Sequence, residues 1–153
     1  MIETIPELVL LVILMPFLGI GFKPTIVASI LYSILPVARN TYVGLTQVDQ
    51  QYLESARAMG LAEKEILWHV RIPLALPLIA AGVRIAIVFT MGVVTLGGLI
   101  AAGGLGGPIQ TGIHLYDKDI IIVTGLWIGI LAVLVDSIGS WIEKLLNRRY
   151  GYD

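Results

Sequence analysis

Four long apolar segments, separated by short polar breaks, organise this chain. They run over residues 5–22 ("IPELVLLVILMPFLGIGF"), 25–43, 74–102 and 120–146. A bilayer crossing needs roughly 20 mostly apolar residues at about 1.5 Å rise each, and all four segments meet that length. Inside hydrocarbon every backbone amide must be satisfied within its own segment, so each segment is predicted to be a helix; the strict alternation of a membrane barrel strand is absent. The "GIGFKP" stretch between the first two segments has the glycines and proline of a tight reversal. The predicted fold is therefore all-α, a single transmembrane domain over residues 1–153 with about four spans and a polar loop at 44–73.

Polarity concentrates in that loop. Asp49, Glu54, Arg57, Glu63, Lys64, Glu65 and Arg71 all fall within it. "QQYLESARAMG" is rich in helix formers up to Gly60, a residue suited to ending a helix in the left-handed conformation. A second short helix is predicted from Ala62 through "EKEILWHV", stopping before Pro73. Such a pair reads either as an amphipathic connector on the lipid headgroups or as a docking element for a partner.

Composition and charge sharpen this picture. Hydrophobic residues make up 57% of the chain and charged residues 14%, against about 25% charged in soluble domains; mean hydropathy is +0.89. A net charge of -1 with no basic stripe argues against nucleic acid as a partner. There is no cysteine, and the two histidines, His69 and His114, are far apart, so no local metal-ligand pattern exists. Lysine and arginine set the orientation. Arg39, Arg57, Lys64 and Arg71 lie between the second and third segments, and Lys144, Arg148 and Arg149 near the C-terminus, whereas the other two connections hold only Lys23 and Lys118. Both chain ends and the 44–73 loop are thus expected on the cytoplasmic side of the plasma or inner membrane. Residues 1–6 have no basic n-region or cleavage pattern, so the first segment does not read as a removable signal peptide.

The pattern Glu54-Ser55-Ala56, then Gly60, then Ile72-Pro73 and Leu76-Pro77, resembles the EAA loop of permease subunits of ATP-binding-cassette importers. Ser55 departs from the loop's middle alanine, one small residue for another. "IPLALPLIAAGVR" and "LIAAGGLGGPI" resemble the segments that follow this loop in binding-protein-dependent permeases of the methionine-importer-like fold. With "LGIGFKPTIVASILYSILPVARNTYVGL" the likeness is greatest to the subgroup importing osmoprotectants such as glycine betaine, carnitine and choline. Permeases of this group have a further span before the first segment seen here, so this chain is expected to lack the family's first span.

The resemblance implies that the loop forms coupling helices seated in a groove of a separate ATPase subunit. Ser55, Ala56, Ala58 and Gly60 would permit close approach, Glu54 and Arg57 would make rim contacts, Leu53 and Met59 would be the anchors, and Ile72, Pro73 and Pro77 would belong to the same ATPase-coupling set. It implies further partners: a second permease subunit, identical or homologous, and an extracytoplasmic substrate-binding protein. ATP and magnesium would be used by the partner subunit; the chain has no G-x-x-x-x-G-K-[ST] of its own, nor a G-x-S-x-G or H-E-x-x-H motif, so no cofactor, catalytic residue or metal site is expected in it.

Two further features stand out. Gly97, Gly98, Gly103, Gly104, Gly106 and Gly107 are expected to break the third span near the external face, either as close packing or as a gate, with Gln110, Thr111 and His114 near the binding-protein surface. Arg84 and Asp136 are charges near the membrane interior and candidates to pair. Other readings are an importer permease for a different solute such as an amino acid, a truncated nonfunctional membrane fragment, and a channel or proton-coupled carrier, for which two intramembrane charges make a thin relay.

Overall fold

The structure, a computed structural model, describes residues 5–150. It contains α1 (Glu7–Leu18), α2 (Phe22–Thr46), α3 (Gln50–Ala58), α4 (Glu63–Ile66), a π-helical turn (Leu67–Arg71), α5 (Ile72–Gly98), α6 (Gly106–Leu115) and α7 (Lys118–Tyr150). No strand occurs among the described residues.

Among the described residues, three stretches are long and apolar enough to cross a membrane: Phe22–Thr46, Glu63–Gly98 and Lys118–Arg149. The expected first span is shorter than its apolar run. α1 covers only 12 residues, about 18 Å at the helical rise, because the chain turns at Gly19 (φ 81°) and Gly21 (φ 105°). The expected third span starts earlier and stops earlier than 74–102. Pro73 does not end the preceding helix as predicted, because the helix widens just before it. The Ile72 N–H bonds to the Leu67 carbonyl, five residues back, and this wide turn carries the helix past a proline that has no N–H and needs room for its ring. The other end of the span is Gly98, and α6, absent from the sequence expectation, follows the turn.

Two compact units are built from these helices, Met1–Leu35 with Ala86–Asp136, and Pro36–Ile85 with Ser137–Asp153. In the first, Leu11 of α1, Ala28 and Tyr32 of α2 and Val93 of α5 are buried together, with Leu10, Leu14, Leu96 and Ile100 against them. The Tyr32 hydroxyl donates to the Ile5 carbonyl, so its polar end is satisfied where water is excluded. In the second, α2 and α5 meet through small residues. A β-carbon on Gly82 would lie 2.7 Å from Asn40 Cβ, and one on Gly44 would lie 3.1 Å from Ala75 Cβ. Lipid tails are as apolar as leucine, so close backbone packing of this kind, rather than a hydrophobic drive, holds membrane helices together. The outward faces are correspondingly greasy: Phe17, Ile34, Trp127, Val133 and Trp141 are all more than half exposed, an arrangement untenable in water and ordinary against lipid.

Candidate functional site

The loop preceding α5 folds on local signals. Asp49 caps α3, its carboxylate accepting from the Gln51 N–H at 2.9 Å, a bond that satisfies one of the orphan donors of the first turn. At the other end Gly60 takes φ 83°. There the Leu61 N–H reaches the Ala56 carbonyl and the Gly60 N–H reaches that of Arg57, the paired bonds of a Schellman motif. Next, the Glu65 carboxylate accepts from the Ala62 N–H at 2.8 Å. This is half of a capping box, since an alanine has no oxygen to return the bond. Arg57 and Glu63 close across the turn at 2.9 Å, a surface pair worth about 1 kcal/mol or less.

Underneath lies a small core of Val48, Leu53, Ala56 and Ile66, with Leu61, Val70 and Leu74 packed on it. The loop is thus a self-supporting helical hairpin. Its inner side uses Leu53 (4% exposed) and Ala56 (1%), so the leucine expected to anchor a partner instead holds α3 onto α4. Glu54, Ser55, Arg57, Ala58, Met59 and Gly60 face outward. Met59 is 73% exposed, a large apolar side chain with no internal role. Ile72 and Pro73 are half-buried where the span begins and Pro77 is buried in it. Gly60 ends α3 in the left-handed conformation, as its place after a run of helix formers predicts. Within this chain a β-carbon there would meet nothing within 4 Å, so what its own fold asks of the glycine is the left-handed backbone.

Sequence reasoning passed over two exposed aromatics on this hairpin, Tyr52 (48%) and Trp68 (67%). Trp68 sits on the π-helical turn immediately before the apolar span, the position where tryptophan favours the membrane interface; that placement was legible. Glu143 as a partner of Arg84 was not. Its guanidinium donates to the Glu143 carboxylate at 3.0 Å, with both side chains about a quarter to a third exposed. The arginine stem lies over Gly139, where a β-carbon would come within 2.9 Å of Arg84 Cγ. Asp136 also has an interaction of its own.

The glycine-rich stretch separates into three kinds of position. Gly97, Gly98 and Gly106 are sites of contact: added β-carbons would lie 2.4 Å from Thr25 Cγ2, 2.3 Å from the Gly106 backbone and 2.1 Å from the Thr95 carbonyl oxygen. Gly103 (φ 80°) and Gly104 (φ 68°) have open surroundings and left-handed backbones, while Gly107 has open surroundings. Gln110 ties the turn together, donating to the Leu99 carbonyl at 3.0 Å. Thr111 bonds within α6, to the Gly107 carbonyl, and His114 is exposed near the end of that helix.

Comparison with known proteins agrees with this architecture. The chain is 40% identical over 147 residues to the glycine betaine/carnitine/choline transport system permease protein OpuCD of Bacillus subtilis (strain 168), covering 95% of this chain and 64% of that protein. It is equally identical, over 147 residues, to the choline transport system permease protein OpuBD of the same organism, covering 95% and 65%. It therefore spans slightly under two thirds of these relatives' length. Among solved structures it superposes on a chain of the MetNI methionine ABC transporter in an inward-facing conformation with a TM-score of 0.81 and 27% identity, covering 94% of this chain and 69% of that one. Residues 1–152 match the family described as binding-protein-dependent transport system inner membrane component, and the chain belongs to that family.

Proposed function

We propose that this chain is a permease subunit of an ATP-driven importer, forming part of the path of a small quaternary-ammonium osmoprotectant and coupled through the 54–77 region to a separate ATPase. The observation that carries this reading is the self-supporting hairpin at the head of the Glu63–Gly98 span: its inner residues hold it together and its outer ones, Ser55, Ala58 and Met59, are free for another protein. A rigid hairpin continuous with a span transmits displacement where a flexible loop would absorb it. ATP binding and hydrolysis shift such a permease only if the ATPase has different affinity for its two states. The hairpin itself carries no chemistry. Met59 is the anchor, with Tyr52 beside it on α3; Glu54 and Arg57 supply charge-assisted rim contacts. A second permease subunit and an extracytoplasmic binding protein complete the assembly, the latter facing the glycine turn. The hairpin and the C-terminal basic cluster lie on the cytoplasmic side.

The relatives' names support the solute class. The test is uptake of labelled glycine betaine, carnitine and choline by proteoliposomes holding the chain with its ATPase and binding protein. ATP-dependent accumulation of at least one is expected. Accumulation of none, or accumulation indifferent to ATP, would overturn the assignment.

A further inference from the structure

The unit of Pro36–Ile85 and Ser137–Asp153 holds the hairpin, the start of α5, the second half of α2 and the end of α7. Within it α5 meets its two neighbours in different ways. Against α2 it lies close through Gly44 and Gly82, with Gly82 against the Pro36 carbonyl and Asn40 Cβ. Against α7 it is joined by charge. Arg84 donates to Glu143 at 3.0 Å, and Gly139, one turn earlier on α7, leaves the space in which the arginine stem lies: a β-carbon there would be 2.9 Å from Arg84 Cγ. No described residue of α7 is buried. That helix has no apolar anchor in the rest of the chain, and lipid supplies no hydrophobic drive to replace one.

An ion pair is a costly way merely to join two helices. Charges within a span are expensive even when paired, and apolar side chains of similar volume often stabilise as well or better. What a directional pair adds is register, fixing which turn of α7 stands beside which turn of α5. The glycine under the arginine stem serves the same end, because it admits Arg84 at one turn of α7. Glu63–Gly98 is helical without a break, so displacement of the hairpin arrives at Arg84. We propose that Arg84 and Glu143 are positioning residues forming a strut, which stays closed through the transport cycle and carries the hairpin's displacement from α5 into α7. The proposal rests on the importer reading above and adds to it the route by which movement leaves α5.

The chain has no cysteine, so the strut can be removed and rebuilt with other chemistry. Arg84→Cys with Glu143→Cys removes both members together, and neither is left facing a lost partner. The complex is reconstituted with cysteine-free ATPase and binding protein. Three quantities are measured: assembled complex, ATP hydrolysis, and glycine betaine, carnitine or choline imported per ATP hydrolysed. Assembly and hydrolysis should persist while import per ATP falls about fivefold, within the span reported for residues that carry coupling. A bifunctional thiol reagent of matching length, joining the two cysteines within one chain, should restore most of that loss; the same reagent on either single-cysteine variant should restore nothing. Glu143→Gln keeps the shape of the side chain and an oxygen for the guanidinium, and is the milder variant, expected to lower import per ATP about twofold. Import per ATP unchanged in both variants would overturn the proposal. So would assembly, hydrolysis and import falling together, which would make the pair a matter of folding alone. Cross-linking that blocks import instead of restoring it would show a contact that must open, and would overturn the strut while leaving the importer reading standing. Absence of ATP-dependent import by the unsubstituted complex would overturn that reading and the strut with it.

Discussion

The hairpin of α3 and α4 and the glycine turn end a helix in the same way with different residues. At the hairpin, Gly60 occupies the left-handed position of the Schellman motif closing α3. At the turn, the Ala102 N–H bonds to the Gly97 carbonyl and the Ala101 N–H to that of Gly98. This is the same pair of bonds closing α5, but the left-handed residue is Ala101, at φ 61°. A side chain in that conformation costs about 1–2 kcal/mol that glycine avoids. The hairpin is therefore relaxed and locally encoded, whereas the turn is strained and held by backbones in contact. Glycine in the first supplies conformation; in the second, Gly97, Gly98 and Gly106 supply space.

The sharpest way to break this contrast is to fill that space. Gly106→Val puts its β-carbon 2.1 Å from the Thr95 carbonyl oxygen, which belongs to backbone and cannot swing aside. Overpacking of this kind costs about 3 kcal/mol or more, and the amount of assembled complex surviving detergent extraction should collapse. Next in size is Gly60→Ala, expected to cost about 1–2 kcal/mol through its backbone alone, seen as a lower melting temperature of the complex; a larger loss would mean a steric role that the open surroundings of Gly60 do not support. Ala101→Gly should move the other way, raising stability by about 1 kcal/mol as the turn's strain is released. Smallest is Gly107→Ala. Its surroundings are open and it lies inside α6, so a change below about 0.5 kcal/mol is expected, readable as an unaltered melting curve.

Much of the hairpin was legible because its signals are local. A glycine after a run of helix formers and an acid at the cap both act within a few residues. Even so, the side of Leu53 was misread. Which face of a nine-residue helix turns inward depends on Ile66 and Val48, and spacing within α3 alone does not say whether an apolar residue meets its own chain or a partner. Pro73 was misread for a related reason. Its usual effect is to end a helix, and only the widened turn at Leu67–Arg71 lets the helix continue. The long-range pairing of Arg84 with Glu143 crosses 59 positions of sequence and has no local signature. α1 was overextended because composition continued apolar past Leu18, whereas the backbone was already turning at Gly19.

The central claim is that the outward face of the hairpin meets the ATPase. A photo-cross-linking residue in place of Met59, compared with one in place of Leu53, tests it in the membrane-embedded complex. The Met59 position should give an adduct with the ATPase subunit whose yield changes between nucleotide-free and ATP-bound conditions, and the buried Leu53 position should give only cross-links within the chain. Adducts of the Met59 probe with lipid alone, in a complex that still imports solute, would contradict the account.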